Sequence, residues 1–218
     1  MNIYVDEAGS FVPSTRANYV SCVCGLIIPA AKEQFLFNSF LKLLTSWGKH
    51  SEEIKGSSLD EKQVARVLQL LAKYDVLTEI AAIHTSAIPD EAITELKEKQ
   101  ADALAARLGP EHHPNAFAWI GGLQSQLRRT PNQLYLQSFL MTRLFDSLLR
   151  IGTGFWSQRA PSELGQFRWT IDAKDKTMTE AEEMWRTLLM PCLEPGSLSD
   201  RSLTLTALTS ITLILRNS

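Results

Sequence analysis

The sequence predicts an α/β chain in which a mixed five-stranded sheet is flanked by helices. Three observations carry that prediction. Apolar runs of strand length occur early and late, at Asn2–Asp6, Tyr19–Ile28, Val76–Thr85, Phe167–Ala173 and Leu203–Leu215. Helical spacing fills the intervals between them, most strongly over Asn132–Ile151. Three strands near the start, then helices, then strand, helix and strand is the order of a mixed sheet.

The first strand, Asn2–Asp6, runs into Glu7-Ala8-Gly9-Ser10, where a glycine and a serine turn the chain. Tyr19–Ile28 is continuous enough for a buried strand and is stopped by Pro29. Ala30–Trp47 has helical spacing with an apolar face of Phe35, Phe37, Phe40, Leu41, Leu43 and Leu44, and Gly48 suits its end. After the polar stretch 49–59, Asp60 can cap a helix reaching Tyr74, with Glu61 in its first turn. Val76–Thr85 makes the third strand, and Asp90–Leu108 a charged surface helix ended by Gly109-Pro110.

The segment 111–131 shows no clear period and reads as a linker; with the helix before it, it forms a helical insertion at about 89–131 in a single domain, 1–218. Its adjacent His112 and His113 point different ways on a helix or a strand, so they make a poor metal pair and read as solvated loop. Phe167, Trp169 and Ile171 alternate on one face of the fourth strand, and Trp169 and Trp185 read as core. A helix over Glu180–Met190 stops at Pro191, and Leu203–Leu215 alternates leucine with threonine as the fifth strand. This order is that of a ribonuclease-H-like sheet, in which the first and fourth strands are parallel neighbours.

Composition narrows the function classes. The 218 residues are 44% hydrophobic with a formal net charge of −2, so bulk electrostatics do not draw the chain to nucleic acid or anionic lipid. Any nucleic-acid role needs a local basic patch. Three cysteines, Cys22, Cys24 and Cys192, do not make a disulfide framework; Cys22 and Cys24 read as small core residues of one strand face. No secretory pattern opens the chain and no apolar run is long enough to span a bilayer, so a reducing cytoplasm and no membrane are expected.

The chemistry-bearing residues sit at strand ends. Asp6 closes the first strand and Asp172 the fourth. If those strands are parallel neighbours, they lie about 4.8 Å apart and both carboxylates come to one end of the sheet. Oxygen ligands of this kind suit Mg²⁺ or Mn²⁺. A third acid is expected; Glu53 leads, within Glu53-Ile54-Lys55-Gly56-Ser57, ahead of Glu7, Asp175 and Glu182. Asp6, Glu53 and Asp172 are therefore the candidate catalytic ligands, with Glu7 a further metal candidate. Lys55 and Lys174 are placed to hold phosphate oxygens and Ser57 to position substrate; the bland alternative for each is a solvated turn or strand exit.

These residues resemble the motifs of the prokaryotic domain-of-unknown-function family 3800. Ile3-Tyr4-Val5-Asp6-Glu7-Ala8-Gly9, Glu53-Ile54-Lys55-Gly56-Ser57 and Ile171-Asp172-Ala173-Lys174 match its three elements in order, over most of the chain. The resemblance implies a ribonuclease-H-like fold and a metal-dependent nuclease acting on DNA or RNA, in phage defence or a mobile element. One departure stands out: family members continue past the fifth strand and add a late acid, whereas Leu203–Leu215 carries no carboxylate. The alternative is thus a non-catalytic interaction subunit with a degenerate nuclease-like site. In either case the last strand offers an edge to a protein partner or a second copy.

Overall fold

The computed structural model describes residues 1–13, 18–49, 54–106, 108–110 and 112–171 and, as backbone, 172–173 and 212–217. Strands β1 (Asn2–Ala8), β2 (Val20–Ile28), β3 (Leu77–His84), β4 (Arg168–Ala173) and β5 (Thr212–Asn217) are joined in the order β3-β2-β1-β4-β5. The first three form an antiparallel meander; β4 lies parallel to β1, and β5 parallel to β4. The chain is therefore α/β with a mixed sheet flanked by helices, and the expected parallel contact of first and fourth strands is present. Of the strand predicted over Leu203–Leu215, residues 203–211 lie outside the described residues, as does the helix predicted over Glu180–Met190.

One face of the sheet is closed by α5 (Asn132–Arg159), a helix of 28 residues. Its buried stripe, including Leu140, Leu144, Leu148 and Gly152, recurs every four residues and follows the sheet. Ile3 and Val5 of β1, Val23 and Ile27 of β2, and Trp169 and Ile171 of β4 meet it from below, all at most 5% exposed. Burying each such side chain contributes about 1.5–3 kcal/mol, which makes this layer the main source of stability. Phe145 and Trp169 lock helix to strand with ring centroids 4.5 Å apart. Gly25 lets the helix come close, because a Cβ there would collide with Leu148. Gly9 has φ +99°, and a Cβ on it would lie 2.7 Å from the Ser21 Cα; glycine is needed for the turn just past Asp6 and Glu7.

Helix α1 (Glu33–Ser46), opened by a short 3₁₀ turn over Ala30–Lys32, buries Leu36 and Leu44. Phe35, Phe37 and Leu41 of its predicted apolar face are exposed instead. The physical reason is angular: residues two apart on a helix are about 200° apart, so Phe35 and Phe37 cannot share a packed stripe. Helix α2 (Glu61–Lys73) starts at Asp60 as expected, through a capping box in which Asp60 and Gln63 satisfy each other's backbone N–H.

The predicted linker is corrected to a helix. Helix α3 (Asp90–Ala105) and helix α4 (Pro114–Arg129) pack antiparallel. Arg128 bridges Glu98 and Asp102, and Gln124 donates to the Ala101 carbonyl at 2.7 Å. The buried Lys97 ammonium donates to the Thr130 carbonyl and to Asn132, both at 2.8 Å, satisfying the end of α4. Gly121 and Gly122 hide this helix from propensity arguments at about 1 kcal/mol each, and packing on α3 offsets that cost. His113 accepts the Asn115 N–H as an N-cap, and both histidines are exposed, in keeping with a solvated turn.

The base of the β1–β4 pair is held by a polar clamp. The Met1 ammonium donates to the carbonyls of Gln166 (2.7 Å) and Glu163 (3.2 Å), and the Arg168 N–H donates to the Met1 carbonyl. The Glu163 carboxylate accepts the N–H groups of Ala30 and Ala31 and faces the ammonium at 3.4 Å. Burial by itself would raise this carboxyl, but those two N–H groups and the ammonium outweigh it and hold it below its usual range. A carboxyl depressed in the folded state stabilises above its unfolded pKa of about 4.3, and the benefit is lost as pH falls through the lower folded value. Glu163→Gln is therefore expected to lower stability by about 1–2 kcal/mol at neutral pH in urea unfolding. The gap from wild type should shrink as pH drops below the unfolded carboxyl value of about 4.3; a constant gap there would contradict the clamp.

Candidate active site

Strand alternation divides β1 between two environments. Ile3, Val5 and Glu7 face α5, while Tyr4 and Asp6 face the opposite side. Glu7 accepts a hydrogen bond from the Gln137 side chain of α5. As a metal candidate it is thus separated from Asp6 by the thickness of the sheet, although the two are adjacent in sequence. Asp6 is exposed, two residues before the end of β1, and its Oδ1 accepts the Glu7 backbone N–H at 2.8 Å, which holds the carboxylate against its own strand.

The β1–β4 register carries the site. Ile3 pairs with Trp169, Tyr4 with Thr170 and Val5 with Ile171. Asp6 and Asp172 each follow the last paired residue of their strand, Val5 and Ile171, at the same end of the pair, and paired parallel strands lie about 4.8 Å apart. Metal–oxygen distances near 2.1 Å let one ion bridge carboxylates on such neighbours. Among the described residues whose side chains are placed, no group of three His, Cys, Asp or Glu side chains comes together to hold an ion.

The remaining predicted residues divide by location. Glu53, Lys174, Asp175 and Glu182 lie outside the described residues. Lys55 and Ser57 are exposed around a 3₁₀ turn, Gly56–Ser58. In that turn the Lys55 carbonyl accepts both the backbone N–H and the hydroxyl of Ser58, at 2.9 and 2.7 Å. Ser58, rather than Ser57, also accepts from the Lys49 ammonium at 3.4 Å. Ser57 thus keeps an exposed hydroxyl while its neighbour builds the turn.

Two neighbours of Asp6 were not evident from sequence as part of a site. Cys24 is its antiparallel partner on β2, with Cys22 one step on, and both are half-exposed on the Asp6 face rather than in the main core. Burial pushes the Cys24 thiol up from its ordinary value, and Coulombic repulsion from Cys22 and Asp6 adds to the rise. Tyr4, on the same face, donates its hydroxyl to Glu33 at the start of α1. The period-two pattern contained the facing, but only the β1–β2 register reveals which residues meet.

This geometry has a chemical readout. In a chain whose other cysteines are replaced by serine, Asp6→Asn is expected to lower the Cys24 pKa by removing a nearby negative charge. Alkylation at about pH 8 should then be faster than with Asp6 intact, since the thiolate is the nucleophile. An unchanged or slower rate would place Asp6 away from this face.

Comparisons of the chain with protein-family models, with curated proteins and with solved structures return no match.

Proposed function

We propose that the chain is a divalent-metal-dependent nuclease of ribonuclease-H-like fold, hydrolysing phosphodiester bonds of DNA or RNA. The observation that carries this reading is the parallel β1–β4 register, in which Val5 pairs with Ile171 and each is followed by an aspartate, Asp6 and Asp172. The strand order β3-β2-β1-β4-β5, with an antiparallel meander followed by parallel strands, supports the same fold assignment. The ordered motifs resembling the domain-of-unknown-function family 3800 support it independently of the geometry.

In this reading Asp6 and Asp172 would hold Mg²⁺ or Mn²⁺, and Glu53 would be the third oxygen ligand. Asp6 suits such an ion: its carboxylate is exposed, where phosphate and water have access. When bound, the ion supplies Lewis acidity and neutralises charge on the phosphate. Lys55 and Lys174 hold non-bridging phosphate oxygens, and Ser57 orients the substrate by a hydrogen bond. Water attacks phosphorus, the bond to one sugar oxygen breaks, and that oxygen leaves with a proton. The setting that follows from the resemblance is phage defence or a mobile element, in the cytoplasm.

A second reading is favoured by one observation. β5 closes one end of the strand order and, among the described residues, pairs only with β4. A non-catalytic subunit would use that edge to bind a partner chain or a second copy.

Cleavage assays separate the two. Purified protein is incubated with single- and double-stranded DNA and RNA and Mg²⁺ or Mn²⁺, beside Asp6→Asn and Asp172→Asn. The nuclease reading predicts metal-dependent cleavage that falls by about 100-fold or more in each variant. Cleavage unaffected by both substitutions would sink the site, and a wild-type protein that cleaves none of the four would favour the interaction subunit.

A further inference from the structure

At the end of the sheet opposite β5, β3 is an edge strand that carries none of the usual devices against pairing. Among the described residues β3 pairs only with β2, and no further hydrogen bond reaches the backbone of Leu77–His84. The strand holds no proline, glycine, lysine or arginine. Its register with β2 runs without a break from Val20 opposite His84 to Ile27 opposite Leu77, so no bulge twists the edge away. Glu79 is its one carboxylate, and that side chain is turned to α5, where it accepts the Ser147 hydroxyl at 2.7 Å. On the other face Thr78, Ile80, Ala82 and His84 are exposed, and Ile80, near the middle of the strand, is 59% exposed.

We propose that this edge joins two copies of the chain, each β3 pairing antiparallel with its counterpart across a twofold axis to make one continuous sheet. The inference does not depend on the nuclease reading. Charge selects a second copy as the occupant. The edge offers no lysine or arginine and its carboxylate is engaged by Ser147, so a charged partner strand finds no counter-charge, whereas an identical strand needs none. Side-chain alternation then limits the register. Residues directly opposite in an antiparallel pair lie on the same face, so the axis must pass through a residue rather than between two. Centred on Glu79 it would set two carboxylates against each other, and centred on Ala81 it would leave Ile80 facing only Ala82. Centred on Ile80 it sets Ile80 against Ile80, Thr78 against Ala82, Glu79 against Ala81 and Leu77 against Ile83, with no like charges opposed. The exposed isoleucine is thereby buried at the axis. Ile80 pairs with Cys24, and Cys24 with Asp6, so one row of residues runs from each Asp6 to the junction. Both Asp6 positions then lie on one face of the joined sheet, about 24 Å apart at ordinary strand spacing.

Sedimentation equilibrium of the full chain over a concentration series tests the junction. A contact of this small size is expected to give a dimer with Kd of about 10–100 µM. Ile80→Lys, at a position exposed in the single chain, is expected to weaken dimerisation by about 10-fold or more, because it opposes two ammonium groups at the axis. Cross-linking reads the register independently. In a chain with Cys22, Cys24 and Cys192 replaced by serine, Ile80→Cys is expected to give a disulfide-linked dimer on mild oxidation, since directly opposite Cα atoms about 4.5–5.5 Å apart fit a disulfide. Ala82→Cys is expected not to, because its counterpart lies about 14 Å away along the strands. A wild type that stays monomeric up to about 500 µM would overturn the proposal. So would a dimer that survives Ile80→Lys and cross-links no better through Ile80→Cys than through Ala82→Cys, the result expected if two copies meet at β5 instead.

Discussion

The parallel pairing of β1 with β4 is the constraint on which the rest of the arrangement depends. Strands 160 residues apart in sequence gain nothing from proximity along the chain, so other contacts must offset the entropy of bringing them together. Those contacts are of two kinds. Ile3, Val5, Trp169 and Ile171 bury their side chains under α5, and the chain's first residues are tied by hydrogen bonds to Glu163, Gln166 and Arg168. A slip of one residue would carry the apolar set to the wrong face, so burial fixes the register. The same register then decides which acids are neighbours.

The sheet's two faces consequently do different work. Against α5 the packing is continuous, and two carboxylates on that face, Glu79 and Glu7, are hydrogen-bonded to Ser147 (2.7 Å) and Gln137. On the other face Cys22 and Cys24 are half-exposed, while Ile80 and Val20 are 59% and 49% exposed. Asp6 belongs to this second face, at the end where parallel strands deliver their last residues. A carboxylate needs water or an ion to carry its charge, and it finds access to both here, away from the α5 core.

Much of this was legible in the sequence. The alternation of Phe167, Trp169 and Ile171, the stop at Pro29 and the cap at Asp60 all act locally, and local signals survive without knowledge of the fold. Asp6 and Asp172 were chosen as candidates for the same reason: each follows an apolar strand run. What escaped was set by tertiary contacts. Helix α4 contains Gly121-Gly122 and owes its stability to Arg128, Gln124 and Lys97 contacts with its neighbours. The aromatic residues of α1 suggested a buried stripe, yet Phe35 and Phe37 lie on different sides and stay exposed. Cys24 became a neighbour of Asp6 only through strand register, which alternation alone leaves undetermined.

The central claim is that Asp6 and Asp172 hold one ion between them, and Mn²⁺ binding tests it most directly. Electron paramagnetic resonance of free Mn²⁺ gives the affinity of wild type, Asp6→Asn, Asp172→Asn and the double variant without any need for substrate. If the carboxylates share an ion, each single substitution weakens binding by about 10- to 100-fold, and the double variant loses far less than the sum of the two free-energy changes. Wild-type affinity in either single variant, or strictly additive losses, would contradict a shared site.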